Sequence, residues 1–168
     1  QQPPDYNYLS GETMGTSYHI SYQLPKDADE TVIQAAIDKR LQQINDSMST
    51  YQNDSTISQF NRLAKDTPII IDADFSHVLA ISKQVYEQSN GAFDPTVMPL
   101  VNTWGFGNTM TVERLQSPPS AIEIAQAKAL VNFESVIQND NSLTKTQEGV
   151  GLDFSAVAKG YGVDVIAT

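Results

Sequence analysis

Cysteine is absent from this sequence of 168 residues, and histidine occurs only at His19 and His77. Zinc fingers, thiolate nucleophiles and disulfide frameworks are therefore excluded within the chain, because each needs cysteine or clustered histidine. A metal ion bound here would be a hard cation held by oxygen ligands, such as Mg²⁺ or Ca²⁺. The absence of cysteine also fits an exported protein.

Positive charge is scarce as well. Lysine and arginine together number 10 against 20 aspartate and glutamate residues, which gives a net charge of −10 at pH 7. This balance argues against nucleic acid and anionic membrane surfaces as partners, because little positive charge is available to neutralise phosphates. An anionic ligand would have to be held by a recruited cation or by backbone N–H groups. No apolar run approaches the roughly 18 residues that span a bilayer.

The segment from Gly91 to Gly107 is rich in apolar and aromatic residues, yet it has neither a helical nor a strand period. Connecting segments are normally polar, so this composition indicates a backbone shaped to hold a ligand. An ordinary packed connection is the equal alternative. In that alternative Trp104 is predicted to be a core residue.

Sequence periodicity elsewhere predicts an α+β domain. Alternation in TSYHISYQL is typical of a half-buried antiparallel strand, and FESVIQ with SLTKTQ predicts a hairpin. Residues 69–71 predict a short buried strand. Residues 1–13, with two prolines and no apolar period, predict a tether or arm. Helices are predicted to begin at the capping residues Thr31, Asp54 or Ser55, Asp74 and Ser120.

The segment LDFSAVAKGYGVD predicts a strand ending near Asp153, followed by a helix with Ser155 as its N-cap. Asp153 then lies beside a helix N-terminus, where free N–H groups can bind phosphate. Gly160 and Gly162 each cost roughly 1 kcal/mol relative to alanine in a helix, which indicates close packing or ligand approach. The apolar pattern continues to Thr168 without a stop signal, and this predicts the N-terminal part of a larger domain.

Several common catalytic and nucleotide-binding motifs are missing. The sequence has no GxxxxGK[ST] and no GxSxG, and Gly105-Phe106-Gly107 lacks the third glycine of a dinucleotide fingerprint. The residues alone therefore support an acidic α+β domain with a glycine-rich aromatic segment and a carboxylate at a helix start.

Considered together, ETMGTSYHISY, MSTYQNDSTISQFN, GAFDPTVMPLVNTWGFG and LDFSAVAKGYGVD resemble the ApbE family of flavin transferases, the FAD:protein FMN transferases. They occur in the family's order and spacing, from Glu12 to the end of the chain. The resemblance implies an ApbE-like, T-fold-like α+β domain of helices and antiparallel sheet that is incomplete in this chain. Residues 1–13 would be an arm, and residues 14–168 the N-terminal portion of a single flavin-transferase domain.

The resemblance also implies an activity. Such an enzyme uses Mg²⁺ to transfer FMN from FAD to a threonine hydroxyl of an acceptor flavoprotein, and AMP leaves. Implied acceptors are subunits of sodium-pumping NADH:quinone reductase or Rnf-type complexes, and the implied location is the periplasm, as an inner-membrane lipoprotein. The fragment alone would be inactive, because catalytic residues and most metal ligands would lie in the C-terminal half.

Site residues follow from the same resemblance. Met14 and Tyr51 would line the flavin site, and the segment Ala92, Phe93 and Asp94 would contact FAD through backbone and carboxylate. Asp153 and Lys159 would make further cofactor contacts, and the backbone carbonyl of Ala156 would bind the metal ion.

Three alternative functions stay open at the level of sequence. The nearest is an FAD pyrophosphatase that hydrolyses FAD to FMN and AMP. The others are a non-catalytic periplasmic FAD-binding protein and a structural interaction module of the cell envelope.

Overall fold

The computed structural model describes residues 6–23, 29–107 and 117–168. The strands are β1 (Asn7–Thr13), β2 (Thr16–Tyr22), β3 (Ile69–Ile70), β4 (Val136–Asn139) and β5 (Ser142–Lys145). The helices are α1 (Glu30–Met48), α2 (Thr56–Arg62), α3 (Ala73–Gln88), α4 (Met98–Trp104), α5 (Ala121–Lys128) and α6 (Ala158–Ala167), with a 3₁₀ turn at Phe133–Ser135.

Strands β1 and β2 form an antiparallel hairpin whose register runs from Asn7 opposite Tyr22 to Thr13 opposite Thr16. The predicted strand over TSYHISYQL is confirmed for β2, but the predicted arm is wrong for residues 7–13. Pairing with β2 explains the difference. Gly11 lies opposite Tyr18, and the Tyr18 ring covers the Gly11 backbone so closely that a Cβ there would lie 2.6 Å from the ring. The sequence of β1 has no apolar period that would predict this contact.

Two helices begin at residues other than those predicted. Helix α1 begins at Glu30 because Asp29 accepts a hydrogen bond from the Thr31 N–H, so Thr31 lies inside the helix. Helix α3 is capped by Asp72, whose carboxylate accepts from the Phe75 N–H at 2.8 Å. Asp74, the predicted cap, lies in the first turn and has a tertiary partner instead.

Two other predicted caps are confirmed. Ser55 caps α2, with its hydroxyl accepting from the Ser58 N–H at 3.2 Å. Ser120 caps α5 in a complete capping box, in which the Glu123 carboxylate accepts from the Ser120 N–H at 2.8 Å.

The structure differs from the predictions for two segments, residues 91–107 and residues 152–164. Within Gly91–Gly107 the structure has helix α4, which ends at Gly105 with a left-handed φ of 79°. Trp104 is 42% exposed and is not a core residue. No strand leads to Asp153, and α6 begins at Ala158 after a turn, with Val157 rather than Ser155 at the N-cap position.

A small sheet of order β3-β5-β4 lies beside the helices, and all its pairs are antiparallel. The predicted hairpin of β4 and β5 is confirmed, with Asp140 at a left-handed φ of 51° in its turn. The strand predicted over residues 69–71 is shorter than expected, and Ile70 is 65% exposed, whereas Ile71 is buried.

The core is a single apolar cluster between the helices and the small sheet. It joins residues from α1, α2, α3 and β5 to the segment before α6: Ile44, Met48, Ile57, Phe60, Phe75, Val78, Leu143, Leu152 and Phe154 are among its members. In the described part of the chain, no helix is both long and apolar enough to cross a membrane.

Candidate functional site

Three of the predicted site residues line one cleft. Met14 from the β1–β2 turn, Tyr51 from the segment after α1, and Lys159 from the first turn of α6 meet there. Residues far apart in sequence therefore share one concave surface. The remaining lining residues come from the end of α1 and from the start of α6: Ile44, Asn45, Met48, Ser49, Thr50, Ser155 and Ala158.

Met14 occupies a conformation that few side-chain-bearing residues adopt. It and Gly15 have left-handed φ angles of 52° and 69°, which a two-residue hairpin turn requires. The Met14 side chain packs against the core cluster, and a Cβ at Gly162 would lie 3.4 Å from its terminal methyl. Backbone strain of this kind is common at ligand sites, and here it holds a flexible apolar side chain at the cleft.

Tyr51 presents its ring to solvent, with 68% of the residue exposed. Its backbone is held by hydrogen bonds that involve the half-buried Ser49 and the buried Ser55. The Ser55 hydroxyl donates to the Ser49 carbonyl at 2.6 Å, and the Tyr51 N–H donates to the Ser49 hydroxyl at 3.3 Å. A rigid backbone with an exposed aromatic ring suits stacking on a flat ligand.

The segment Ala92–Asp94 is held by short-range hydrogen bonds. The Phe93 N–H donates to the Ser89 hydroxyl at 3.0 Å. One oxygen of Asp94 accepts from the Thr96 N–H at 2.7 Å and from the Thr96 hydroxyl at 2.5 Å. Thr96 is fully buried, so the half-buried Asp94 is locked in one orientation.

Asp153 connects this segment to the region before α6. Its N–H donates to the Pro95 carbonyl at 2.8 Å, and its carboxylate accepts from the Ser155 N–H at 2.7 Å. Ala92, Phe93 and Asp94 do not line the cleft of Met14, Tyr51 and Lys159. Residues 153–159 link the two groups instead, because Asp153 bonds to Pro95, the neighbour of Asp94, and Lys159 lines the cleft.

The start of α6 has backbone groups available for a ligand. Within the described residues, the N–H groups of Lys159 and Gly160 have no backbone acceptor, and the carbonyl of Ala156 has no backbone donor. A Cβ at Gly160 would meet no heavy atom of the described chain within 4 Å. Free N–H groups at a helix start bind phosphate, and a free carbonyl oxygen is a ligand for a hard cation.

The described residues include oxygen ligands of the type that a hard cation prefers, but too few of them to complete a metal site. The oxygens of Ala156, Asp153 and Asp94 have the chemistry that Mg²⁺ prefers. Across residues 6–23, 29–107 and 117–168, however, no group of three or more His, Cys, Asp or Glu side chains is placed to hold a metal ion.

Residues 150–152 lead into the site and are fixed by two polar side chains. Asn61 donates to the Leu152 carbonyl at 2.8 Å and accepts from the Leu152 N–H at 2.7 Å, as a neighbouring strand would. The Lys145 ammonium donates to the carbonyls of Val150, Asn61 and Phe60 at 2.8, 3.1 and 3.2 Å. Lys145 is only 1% exposed, and its burial lowers its pKa.

No local signal in the sequence marks Asn61 and Lys145 as residues that hold the site. A lysine in an alternating strand normally predicts an exposed side chain, and an asparagine at a helix end normally predicts a solvated amide. Their partners lie 91 residues away for Asn61 and 84 to 85 residues away for the bonds from Lys145 to α2. Tertiary contacts of this range leave no periodic pattern.

The family model of the ApbE family matches residues 14–168 of this chain. A Vibrio cholerae serotype O1 protein named FAD:protein FMN transferase is 38% identical over 168 residues, which cover 99% of this chain and 49% of the relative. A Haemophilus influenzae protein of the same name is also 38% identical, with 95% of this chain and 47% of the relative covered.

Solved structures are similar as well. The flavin transferase ApbE from Vibrio cholerae matches with a TM-score of 0.91 and 37% identity over 98% of this chain and 53% of that chain. The apo form of the Pseudomonas stutzeri flavinyl transferase ApbE matches with a TM-score of 0.88 and 31% identity, covering 97% of this chain and 52% of that chain. The chain spans about half the length of the curated relatives it matches.

Proposed function

This chain belongs to the ApbE family, and we propose that it forms the N-terminal half of an FAD:protein FMN transferase. The complete enzyme transfers FMN from FAD to a threonine hydroxyl of an acceptor protein. The threonine oxygen bonds to the phosphorus on the FMN side of the pyrophosphate, and the bond from that phosphorus to AMP breaks. One observation carries the proposal: Met14, Tyr51 and Lys159, which are distant in sequence, line one cleft.

The described side chains are suited to hold FAD. The exposed Tyr51 ring and the Met14 side chain offer flat and apolar contacts for an isoalloxazine or adenine ring. Lys159 and the free N–H groups at the start of α6 supply positive charge for the pyrophosphate. Asp94 and Asp153 would accept hydrogen bonds from the cofactor.

Mg²⁺ is proposed as the cation of this site, with the Ala156 carbonyl as its ligand in this chain. The bound ion would neutralise pyrophosphate charge, which an acidic protein needs from an external cation. Its other ligands and the catalytic residues are proposed to lie in the C-terminal half.

The acceptor and the location follow from the family resemblance alone. We propose flavin-bearing subunits of sodium-pumping NADH:quinone reductase or Rnf-type complexes as acceptors. The proposed location is the periplasmic face of the inner membrane, as a lipoprotein. Cell fractionation that places the protein entirely in the cytoplasm would contradict this location.

The test is a reaction of the complete protein with FAD, Mg²⁺ and an acceptor subunit. We expect release of AMP and an acceptor whose mass increases by one bound FMN, with both abolished by EDTA. An acceptor with valine in place of the target threonine is the control and gains no mass. AMP release without acceptor would show a hydrolase instead, and intact FAD without any adduct would show a binding protein.

A further inference from the structure

The first turn of α3 contacts both ends of the segment that carries the proposed cofactor residues. At one end, the Phe75 ring packs edge to face on Phe154, with 5.1 Å between ring centroids. At the other end, the Tyr161 hydroxyl donates to Asp74 at 2.5 Å. Residues 155–160, with the Ala156 carbonyl and Lys159, lie between these two contacts.

Asp74 is shared by two donors from different helices. Arg40 of α1 approaches it with two nitrogens, at 2.6 and 2.7 Å from the two carboxylate oxygens, and Tyr161 of α6 donates to one of the same oxygens. Such bidentate, charge-assisted bonds restrict orientation more than single bonds do. The carboxylate therefore fixes α6 relative to both α1 and α3.

The electrostatics favour the charged form of the Asp74 carboxylate. Hydrogen bonds from Arg40 lower the pKa of Asp74, and the Tyr161 hydroxyl adds to this effect. Burial raises the pKa of Tyr161, with the hydrogen bond to Asp74 contributing, so its hydroxyl stays protonated and donates. The His77 ring packs against the Tyr161 ring, with centroids 5.4 Å apart.

We propose that Asp74, together with Arg40 and Tyr161, is a positioning cluster that fixes residues 155–160 for cofactor binding. The cluster does not line the cleft and is not proposed to touch FAD. Tyr161 follows Lys159 by two residues in α6, so a rotation of the helix start would move both the lysine and the Ala156 carbonyl. The inference rests on the proposed function for its ligand.

Tyr161→Phe removes one hydroxyl and leaves the ring contact with His77 in place. The matched control is Tyr18→Phe, because the Tyr18 hydroxyl also donates to an aspartate, Asp38, at 2.6 Å and joins β2 to α1. Both variants lose a tyrosine–carboxylate bond, but Tyr161 lies in α6 directly after residues 155–160, whereas Tyr18 lies in β2. Both are made in the complete protein.

Two measurements decide the proposal. Hydrogen exchange followed by mass spectrometry should show faster amide exchange across residues 155–160 in Tyr161→Phe and unchanged exchange there in Tyr18→Phe. Steady-state kinetics should show KM for FAD raised about 10-fold in Tyr161→Phe with kcat changed much less, as expected for loss of a hydrogen bond to a charged group. Asp74→Ala combined with Tyr161→Phe should raise KM no further than Asp74→Ala alone, since each substitution removes the bond between Tyr161 and Asp74.

Unchanged exchange in Tyr161→Phe would overturn the inference, and so would an equal rise of KM in both single variants. Faster exchange with an unaltered KM would also overturn it, because the segment would then be loosened without consequence for the cofactor. If the unsubstituted complete protein did not turn over FAD, the proposed function would fail instead. The exchange comparison would still decide whether the cluster fixes this segment.

Discussion

The two segments of the candidate site are held in place in different ways. Phe93 is held by Ser89, four residues earlier in the sequence, and Asp94 is held by Thr96, two residues later. The segment from Asp153 to Tyr161 depends on partners such as Asp74, 87 residues away. The side chains and N–H groups of the first segment are therefore held mainly by local hydrogen bonds, whereas the second segment depends on tertiary contacts.

The largest effect is expected from Phe154→Ala. Phe154 is fully buried and packs on Phe75, so its truncation leaves a cavity and should destabilise the protein by about 3–5 kcal/mol. Phe93→Ala, at a half-buried position of the locally held segment, should cost about 1–2 kcal/mol. Urea unfolding of both variants gives the free energies of unfolding. Equal losses would contradict the distinction between the two segments.

A smaller loss is expected from Lys145→Met. The methionine keeps the apolar stem but removes the donor to the carbonyls of Asn61 and Val150, whereas the Phe60 carbonyl keeps the Leu63 N–H, and this should cost about 1–3 kcal/mol. Lys83→Met on the exposed face of α3 is the control and should change stability by less than about 0.5 kcal/mol. Equal unfolding midpoints for the two variants would show that the buried ammonium does not stabilise the segment before Asp153.

Asp94→Asn tests whether the segment that is held by local hydrogen bonds contributes to FAD binding. The amide oxygen still accepts from Thr96, so the turn is kept while the negative charge is lost. We expect FAD to bind about 10-fold more weakly to the complete protein, measured by calorimetric titration, with little change in thermal stability. Asp140→Asn in the exposed β4–β5 turn should leave FAD affinity unaltered. Unchanged affinity in a folded Asp94→Asn protein would remove Asp94 from the site.

The smallest effect is a dependence of stability on pH. The pKa of Asp74 is lower in the folded protein than in the unfolded chain, so its stabilising contribution is complete above the unfolded value of about 3.9. That contribution decreases as pH falls through the lower folded value. Between pH 7 and pH 3 the unsubstituted protein should therefore lose more stability than Asp74→Asn, by up to about 1 kcal/mol. Parallel stability curves for the two proteins would contradict this.

The elements of the fold that depend on local signals were largely predictable. The capping box at Ser120, the cap at Ser55 and the β4–β5 hairpin are confirmed because each is specified by a few adjacent residues. The ApbE-type fold expected from the four family segments is confirmed by the similar structures. The true cap Asp72 was missed because Asp74, two residues later, also suits a cap.

Features that depend on tertiary pairing were not predictable from the residues. Strand β1 has no apolar period, and only its partner β2 makes it a strand. The convergence of Met14, Tyr51 and Lys159 was expected from the family resemblance, whereas the anchoring by Lys145 and Asp74 was not. A carboxylate at a helix start indicates a cap as readily as an ion pair, and sequence cannot distinguish these roles.

The central claim is that the segments around Asp94 and Asp153 form one FAD site together with Met14 and Tyr51. A crystal structure of the complete protein with FAD and Mg²⁺ tests this most directly. We predict that FAD contacts Met14 and Tyr51 in the cleft and also reaches Asp94 and Asp153, with the pyrophosphate at the start of α6. FAD bound away from both segments, or contacting one of them and not the other, would contradict the account.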